Sequence, residues 1–270
     1  MTADRPTVDR RTLLRSGGLA LSLGAVLAAC GGSSGPSEPG RVGLAPPGST
    51  LPDGVVNDVV LLRTAQSIEY TAIDVYAAAA DLGVLDAATL AVVGRFVEDH
   101  QRHADALGEL ITAADGEPFT CANPFLMERA ITPILGALEG SDDLLRDVLN
   151  IASALESYAA AAYQALVESL TTPELRRAAM EIAADENRHA ATLAIAITGA
   201  PEGYISPALT GGEVLPDEDG FPVHYAVPAT FGQLSPVELT VGARNAEGAR
   251  FSINLQTPAE NTFVYDFLSC

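Results

Sequence analysis

Between residues 52 and 200 apolar residues recur at alternating steps of three and four, the spacing of one face of an α-helix. Four such runs stand out. The first is expected to open at Asp53, after Pro52, and to run to about Asp81 before Gly83; its inward stripe reads Leu62, Ala65, Glu69, Ala72, Tyr76. The second takes Asp86 as N-cap and continues to Ala114, ahead of an Asp115-Gly116 turn signal, with the stripe Val93, Phe96, His100, His103, Leu107, Leu110. A third is expected from Ser141, with Asp142 and Asp143 in the first turn, where unpaired N–H groups favour negative charge; its stripe is Leu149, Ala152, Glu156, Ala159, Tyr163. The fourth has Thr172 as cap and Pro173 in the first helical position, stops at Gly199 and Pro201, and reads Ile182, Glu186, His189, Leu193, Ile197.

Short connections make two hairpins of these four helices. Between the hairpins, residues 115 to 140 carry Pro118, Pro124, Pro133, Gly136 and Gly140, which break a long helix but allow short ones such as Phe125 to Ile131. The expected fold is therefore mainly α, a four-helix bundle with one long crossover connection. After residue 201 the period changes to two: Val237 to Val241, Arg250 to Leu255 and Thr262 to Leu268 alternate apolar with polar residues, and Asn245 to Gly248 suits a hairpin turn. A small antiparallel β extension is expected over 201–270, against the bundle or beside it. His224, in that region, has no second ligand at useful spacing and reads as a surface or hydrogen-bonded histidine.

Each helical stripe is broken by ionisable residues: Glu69 and Glu156 singly, His100 with His103, and Glu186 with His189, one turn apart. An unpaired charge in a bundle core costs several kcal/mol, so these six residues need a shared partner. A metal ion supplies one. A fully satisfied network of hydrogen bonds that also uses Tyr76 and Tyr163 is the alternative. The chain is internally duplicated as well: Glu69 precedes Tyr76 by seven residues as Glu156 precedes Tyr163, and Arg102-His103-Ala104 echoes Arg188-His189-Ala190. Two hairpins related by a pseudo-twofold axis would bring all four broken stripes to one level. Tyr70 and Tyr158, next to the glutamates in sequence, read as packing residues.

On these residues the chain resembles the ferritin-like superfamily, which includes rubrerythrins, manganese catalases and desiccation-related proteins and has the pattern Glu, Glu-x-x-His, Glu, Glu-x-x-His. The resemblance covers residues 55 to 200. It implies metal ligation by Glu69, His103, Glu156, Glu186 and His189, with Glu186-Asn187-Arg188-His189 matching the motif. The second helix departs from it, because His100 stands where the pattern has glutamate; a neutral imidazole leaves cationic charge uncompensated, and Asp99 could partly stand in. Three imidazoles and three carboxylates suit one or two ions of iron, manganese or zinc. The resemblance implies redox chemistry with oxygen or peroxide. A non-catalytic lipoprotein that binds metal or a partner is the reading from another class.

All fifteen basic residues are arginines, and the net charge of −20 leaves no basic patch for nucleic acid. Near the N-terminus, Arg10-Arg11 in Asp-Arg-Arg-Thr-Leu-Leu, followed by the apolar run Leu19 to Ala29, resembles a twin-arginine export signal, and Leu27-Ala28-Ala29-Cys30 resembles a lipobox. The expected order is a signal peptide at 1–29, a lipidated Cys30 with a Gly/Ser/Pro linker at 30–51, the bundle at 52–200 and the β extension at 201–270. The expected location is the outer face of a bacterial cytoplasmic membrane, held by lipid alone, with a homodimer or a protein partner left open. In that oxidising compartment the two other cysteines, Cys121 and Cys270, form an even pair suited to a disulfide.

Overall fold

The computed structural model describes residues 54–199, 235–257 and 262–270. The expected signal peptide, Cys30, the linker and His224 lie outside the described residues. Four long helices, α1 (Asp58–Asp81), α2 (Ala87–Ala113), α3 (Leu144–Ser169) and α4 (Pro173–Thr198), form two hairpins, α1 on α2 and α3 on α4. None of the helices among the described residues is long and apolar enough to cross a membrane. Contacts of α1 with α3 and of α2 with α4 close the bundle.

The helix starts follow side-chain capping. Asp86 accepts from Thr89 N at 2.7 Å and Thr172 Oγ1 from Leu175 N at 3.2 Å, each satisfying an otherwise orphaned donor. Two expected starts are corrected. Helix α1 opens after Asn57, whose Oδ1 accepts from Val60 N at 3.0 Å, and not at Asp53; upstream, Gly54 passes against the Tyr265 ring, where a Cβ would not fit. Helix α3 opens after Asp143, which accepts from Arg146 N at 3.1 Å, because Ser141 is occupied in accepting from Asp143 N and donating to the buried Asp147. At the far end of α4, Gly199 takes the left-handed conformation with φ 65°.

The crossover is more helical than its prolines suggested. It runs through Pro124–Leu126, a π turn at Met127–Ile131, Thr132–Ala137 and a 3₁₀ turn at Leu138–Gly140. Proline has no N–H to continue an α-helical ladder; the wider π turn resets the register, so Pro133 falls in the first turn of a new segment. Asn123 anchors its start, accepting from Leu126 N at 3.0 Å and donating to Ser67 Oγ and Thr262 O at 2.9 Å.

The β extension holds one antiparallel pair, β1 (Ser235–Val241) and β2 (Phe251–Thr257), with Leu239 opposite Ile253. Leu239, Val241 and Leu255 bury against Ile151, Leu155 and Tyr158 of α3, a cluster the crossover completes with Ile131 and Ile134. Gly242 seals this contact: its N–H donates to Asp147 at 2.7 Å, its φ is 83°, and a Cβ there would lie 2.7 Å from the Ala137 carbonyl.

The third expected strand, Thr262 to Leu268, is corrected to an irregular tail with a turn at Asp266 and Phe267. Its polar backbone groups are met by side chains of α1 and by Asn123, and not by a neighbouring strand. Val264 N donates to Thr64 Oγ1 at 2.9 Å, and the buried Arg63 guanidinium donates to the carbonyls of Glu117 and, at 2.5 Å, Leu268. Cys121 and Cys270 are joined by a disulfide, Cα atoms 5.9 Å apart, which ties the tail to the loop after α2. The bond spans 149 residues. Loop-closure entropy of that size corresponds to about 2–5 kcal/mol. The double variant Cys121→Ser, Cys270→Ser is therefore expected to lose about that much stability in urea unfolding, and an unchanged midpoint would show that the tail's hydrogen bonds alone suffice.

Candidate metal centre

The bundle core is apolar above and below one polar level. On one side Leu62, Leu107, Ile111, Leu166 and Ile182 pack together; on the other, Ala72, Phe96, Ala152 and Leu193. Between them lie Glu69 of α1, His100 and His103 of α2, Glu156 of α3 and Glu186 and His189 of α4, none more than 4% exposed. Helical periodicity sets this level, because residues three apart share a face, and the hairpins bring the four faces together.

The six side chains form two donor sets that share His100 and Glu186. One is Glu69, His100, His103 and Glu186; the other is His100, Glu156, Glu186 and His189, with the donor atoms of each set within 4.8 Å of one another. In the first, Glu69 Oε2 lies 2.8 Å from His100 Nδ1 and 3.4 Å from His103 Nδ1, and Glu186 Oε1 lies 2.8 Å from His103 Nδ1. In the second, Glu156 lies 3.2 Å from both His100 Nε2 and His189 Nδ1, and Glu186 Oε2 lies 3.4 Å from His189 Nδ1. Ligands about 2.1 Å from a common ion sit roughly 3.0–3.4 Å from one another, the edge of an octahedron or tetrahedron, so these spacings fit coordination.

A second layer supports these donors with the symmetry of the sequence repeat. Tyr76 of the first hairpin donates to Glu156 of the second, and Tyr163 of the second donates to Glu69 of the first. The outer nitrogens of the histidines cross in the same way: His189 Nε2 lies 3.2 Å from Asp99 and His103 Nε2 lies 3.3 Å from Asp185. Each aspartate is paired with an arginine one turn along its own helix, Arg102 or Arg188. Asp99 therefore backs a histidine and does not substitute for the missing glutamate ligand. Carboxylates in this position fix which ring nitrogen faces the ion and raise its basicity. Phe96 stacks on His189 with centroids 4.1 Å apart. Tyr158 lies in the apolar cluster under the sheet, away from the donors.

Burial and crowding together set the protonation of the centre. Burial raises the Glu69 carboxyl, but the contact with His100 and the charges of His100 and His103 more than offset it and hold it at about 2. Glu156 is likewise held well below the usual range: burial opposes this, and His100 and His189 prevail. Glu186 goes the other way, to about 7, because burial and the charges of Glu69 and Glu156 all disfavour a third carboxylate. Burial would lower the histidines, yet the carboxylates around them raise His103 and His189 to about 10 and His100 well above its usual value. Without metal, protons on the imidazoles balance the carboxylates.

That balance is incomplete. Both oxygens of Glu186 and Nδ1 of His103 are buried without a hydrogen bond, although the two side chains touch at 2.8 Å. They are out of alignment for a hydrogen bond with each other, and at this spacing both can reach one ion set beside the line that joins them. Buried polar atoms left unpaired are costly, and a cation ligated by both would remove the cost. The donor set fits a transition metal.

The sequence model of one family, described as the ferritin-like domain, matches residues 57–199, more than half of the chain. This chain belongs to the ferritin-like family. No curated protein and no solved structure matches it. In ferritin-like terms the buried Glu and His groups on four helices could hold metal ions. Sequence reasoning missed Asp185. Extending the Arg-His-Ala echo backwards would have found it, since Asp99-His100-Gln101-Arg102-His103 and Asp185-Glu186-Asn187-Arg188-His189 agree at their first, fourth and fifth positions.

Beside the centre lies an apolar cavity of about 310 Å³ whose walls include Tyr76, Phe96, Val93, Leu149, Ala152 and Leu193. Phe96 and Tyr76 separate it from His189 and Glu156. Its lining, among the described residues, contains no charged side chain.

Proposed function

We propose that this ferritin-like protein is exported and lipid-anchored through Cys30, holds one or two ions of iron or manganese in the bundle core, and uses them in redox chemistry with oxygen or peroxide. Zinc suits the same donors and would make the site structural. The observation that carries the reading is the convergence of six buried donors, three of whose atoms, in Glu186 and His103, make no hydrogen bond. When bound, such an ion supplies one-electron chemistry and an open coordination position. The chain's own residues prepare the site: Tyr76 and Tyr163 orient Glu156 and Glu69, Asp99 and Asp185 orient His189 and His103, and the apolar layers exclude bulk water. The adjoining cavity suits a small uncharged molecule such as oxygen.

Oxygen-uptake and peroxide-decomposition assays on iron- or manganese-loaded protein test the redox reading. Turnover above free metal, lost in Glu186→Ala, is the expected outcome. A fully loaded but inert protein would instead support the non-catalytic reading, a surface lipoprotein that binds metal or a partner.

Export rests on the resemblance of Arg10-Arg11 and Cys30 to signal and lipobox residues. Changing both arginines to lysine is expected to leave precursor in the cytoplasm, and Cys30→Ala to abolish labelling by a lipid precursor. Normal membrane-bound, lipidated product from both variants would sink the proposal.

A further inference from the structure

His100 occupies the position that Glu186 occupies in the duplicated half, second in each five-residue repeat. In the folded bundle Glu186 reaches both donor sets, Oε1 beside His103 at 2.8 Å and Oε2 beside His189 at 3.4 Å. His100 does the same from the opposite hairpin. Its Nδ1 lies 2.8 Å from Glu69 and 3.7 Å from Glu186 Oε1, while its Nε2 lies 3.2 Å from Glu156. The ring is 1% exposed and held between the Tyr76 ring, 5.7 Å away, and the edges of His103 and His189 at 6.2 and 5.5 Å. The two nitrogens of an imidazole are in 1,3 positions like the two oxygens of a carboxylate, but their lone pairs diverge. They cannot serve one ion; they can serve two.

On the reading that the centre holds metal, we propose that it holds two ions and that His100 links them. Nδ1 ligates the ion held by Glu69, His103 and Glu186, and Nε2 ligates the ion held by Glu156, His189 and Glu186. Both ring protons pass to solvent as the ions load, so His100 binds as imidazolate and supplies the negative charge that glutamate would bring to this position. The departure from the family pattern then exchanges one bridging anion for another of greater span. Metal–nitrogen bonds of about 2.0–2.1 Å on either side of the ring place the ions roughly 5–6 Å apart. Ions paired in the usual two-metal manner sit about 3.5–4 Å apart. Each half-site has two nitrogens and two oxygens, a set that divalent cobalt or zinc fills tetrahedrally.

Cobalt(II) is the probe. Titration of the full exported protein, with anomalous diffraction from loaded crystals, is expected to show two ions per chain, 5–6 Å apart, with the His100 ring between them. His100→Glu is expected to keep both ions and draw them to about 3.5–4 Å, whereas His100→Gln should weaken the second ion about 100-fold. One ion per chain in the wild type, or two ions within 4 Å, would overturn the link while leaving metal binding intact. Wild-type protein that takes up no cobalt would overturn both the link and the metal reading beneath it.

Discussion

Glu186→Ala is expected to lose nearly all bound transition metal. Glu186 is shared by both donor sets and is the carboxylate whose two oxygens have no hydrogen bond, so its removal strips a ligand from each half-site at once. Loss of one protein ligand of four weakens binding by orders of magnitude, and here a ligand is lost from both donor sets. The metal-free variant should nevertheless fold. Without metal Glu186 is the group that burial and its neighbours disfavour most as an anion, and alanine removes that conflict at the cost of a small cavity. His189→Ala should lose metal from one half-site mainly and should also release Asp99, whose Oδ2 faces His189 at 3.2 Å. Elemental analysis after gel filtration, with circular dichroism to confirm folding, separates these outcomes. Full metal content in Glu186→Ala would remove Glu186 from the ligand set.

A change in the sign of pH dependence on loading is the second large effect. His103 and His189 are raised to about 10 in the metal-free fold, against about 6.5 unfolded, so the folded state holds their protons through the window between. Their stabilisation is fully present below pH 6.5 and is lost as pH rises through 10. Glu186, raised to about 7, adds to the fall between pH 4.5 and 7, because the folded state again binds more protons than the unfolded one. Glu69, held at about 2, contributes stability above pH 4.5 that disappears only in strong acid. Chelated protein should therefore melt at a lower temperature at pH 9 than at pH 6. Metal must displace the same protons, so its binding strengthens as pH rises. The gap in Tm between loaded and chelated protein is expected to widen steadily from pH 6 to pH 9; a constant or narrowing gap would show that the histidines are not ligands.

The sequence carried the bundle clearly because each of the four stripes is long and broken at one level. Leu62, Ala65 and Tyr76 on α1, and Ala152, Ala159 and Tyr163 on α3, are all buried around their glutamates. Capping chemistry located Asp86 and Thr172 but misplaced two starts, since Pro52-Asp53 and Ser141-Asp142 satisfy the same local rules as Asn57 and Asp143. Tertiary contacts decided between them: Gly54 under Tyr265, and Ser141 on Asp147. Alternation in Thr262 to Leu268 mimicked a strand because the tail alternates between burial on α1 and solvent, with Thr64 and Arg63 as its hydrogen-bond partners. The crossing of Tyr76 to Glu156 and Tyr163 to Glu69 was hidden as well. Each tyrosine repeats seven residues after its own glutamate, yet two turns of helix carry it past that residue to the glutamate of the other hairpin. Asp185 escaped notice because it lies at the edge of the buried stripe, its side chain 29% exposed.

In the metal-free fold, protons on three buried imidazoles stand among Glu69, Glu156 and Glu186, where metal ions could bind. Elemental analysis of exported wild-type protein, paired with its Tm before and after chelation, tests this most directly. Stoichiometric iron or manganese in the purified protein and a Tm that falls when the metal is stripped are the expected result. Metal-free protein from mild purification, with a Tm that neither chelator nor added metal changes, would contradict it.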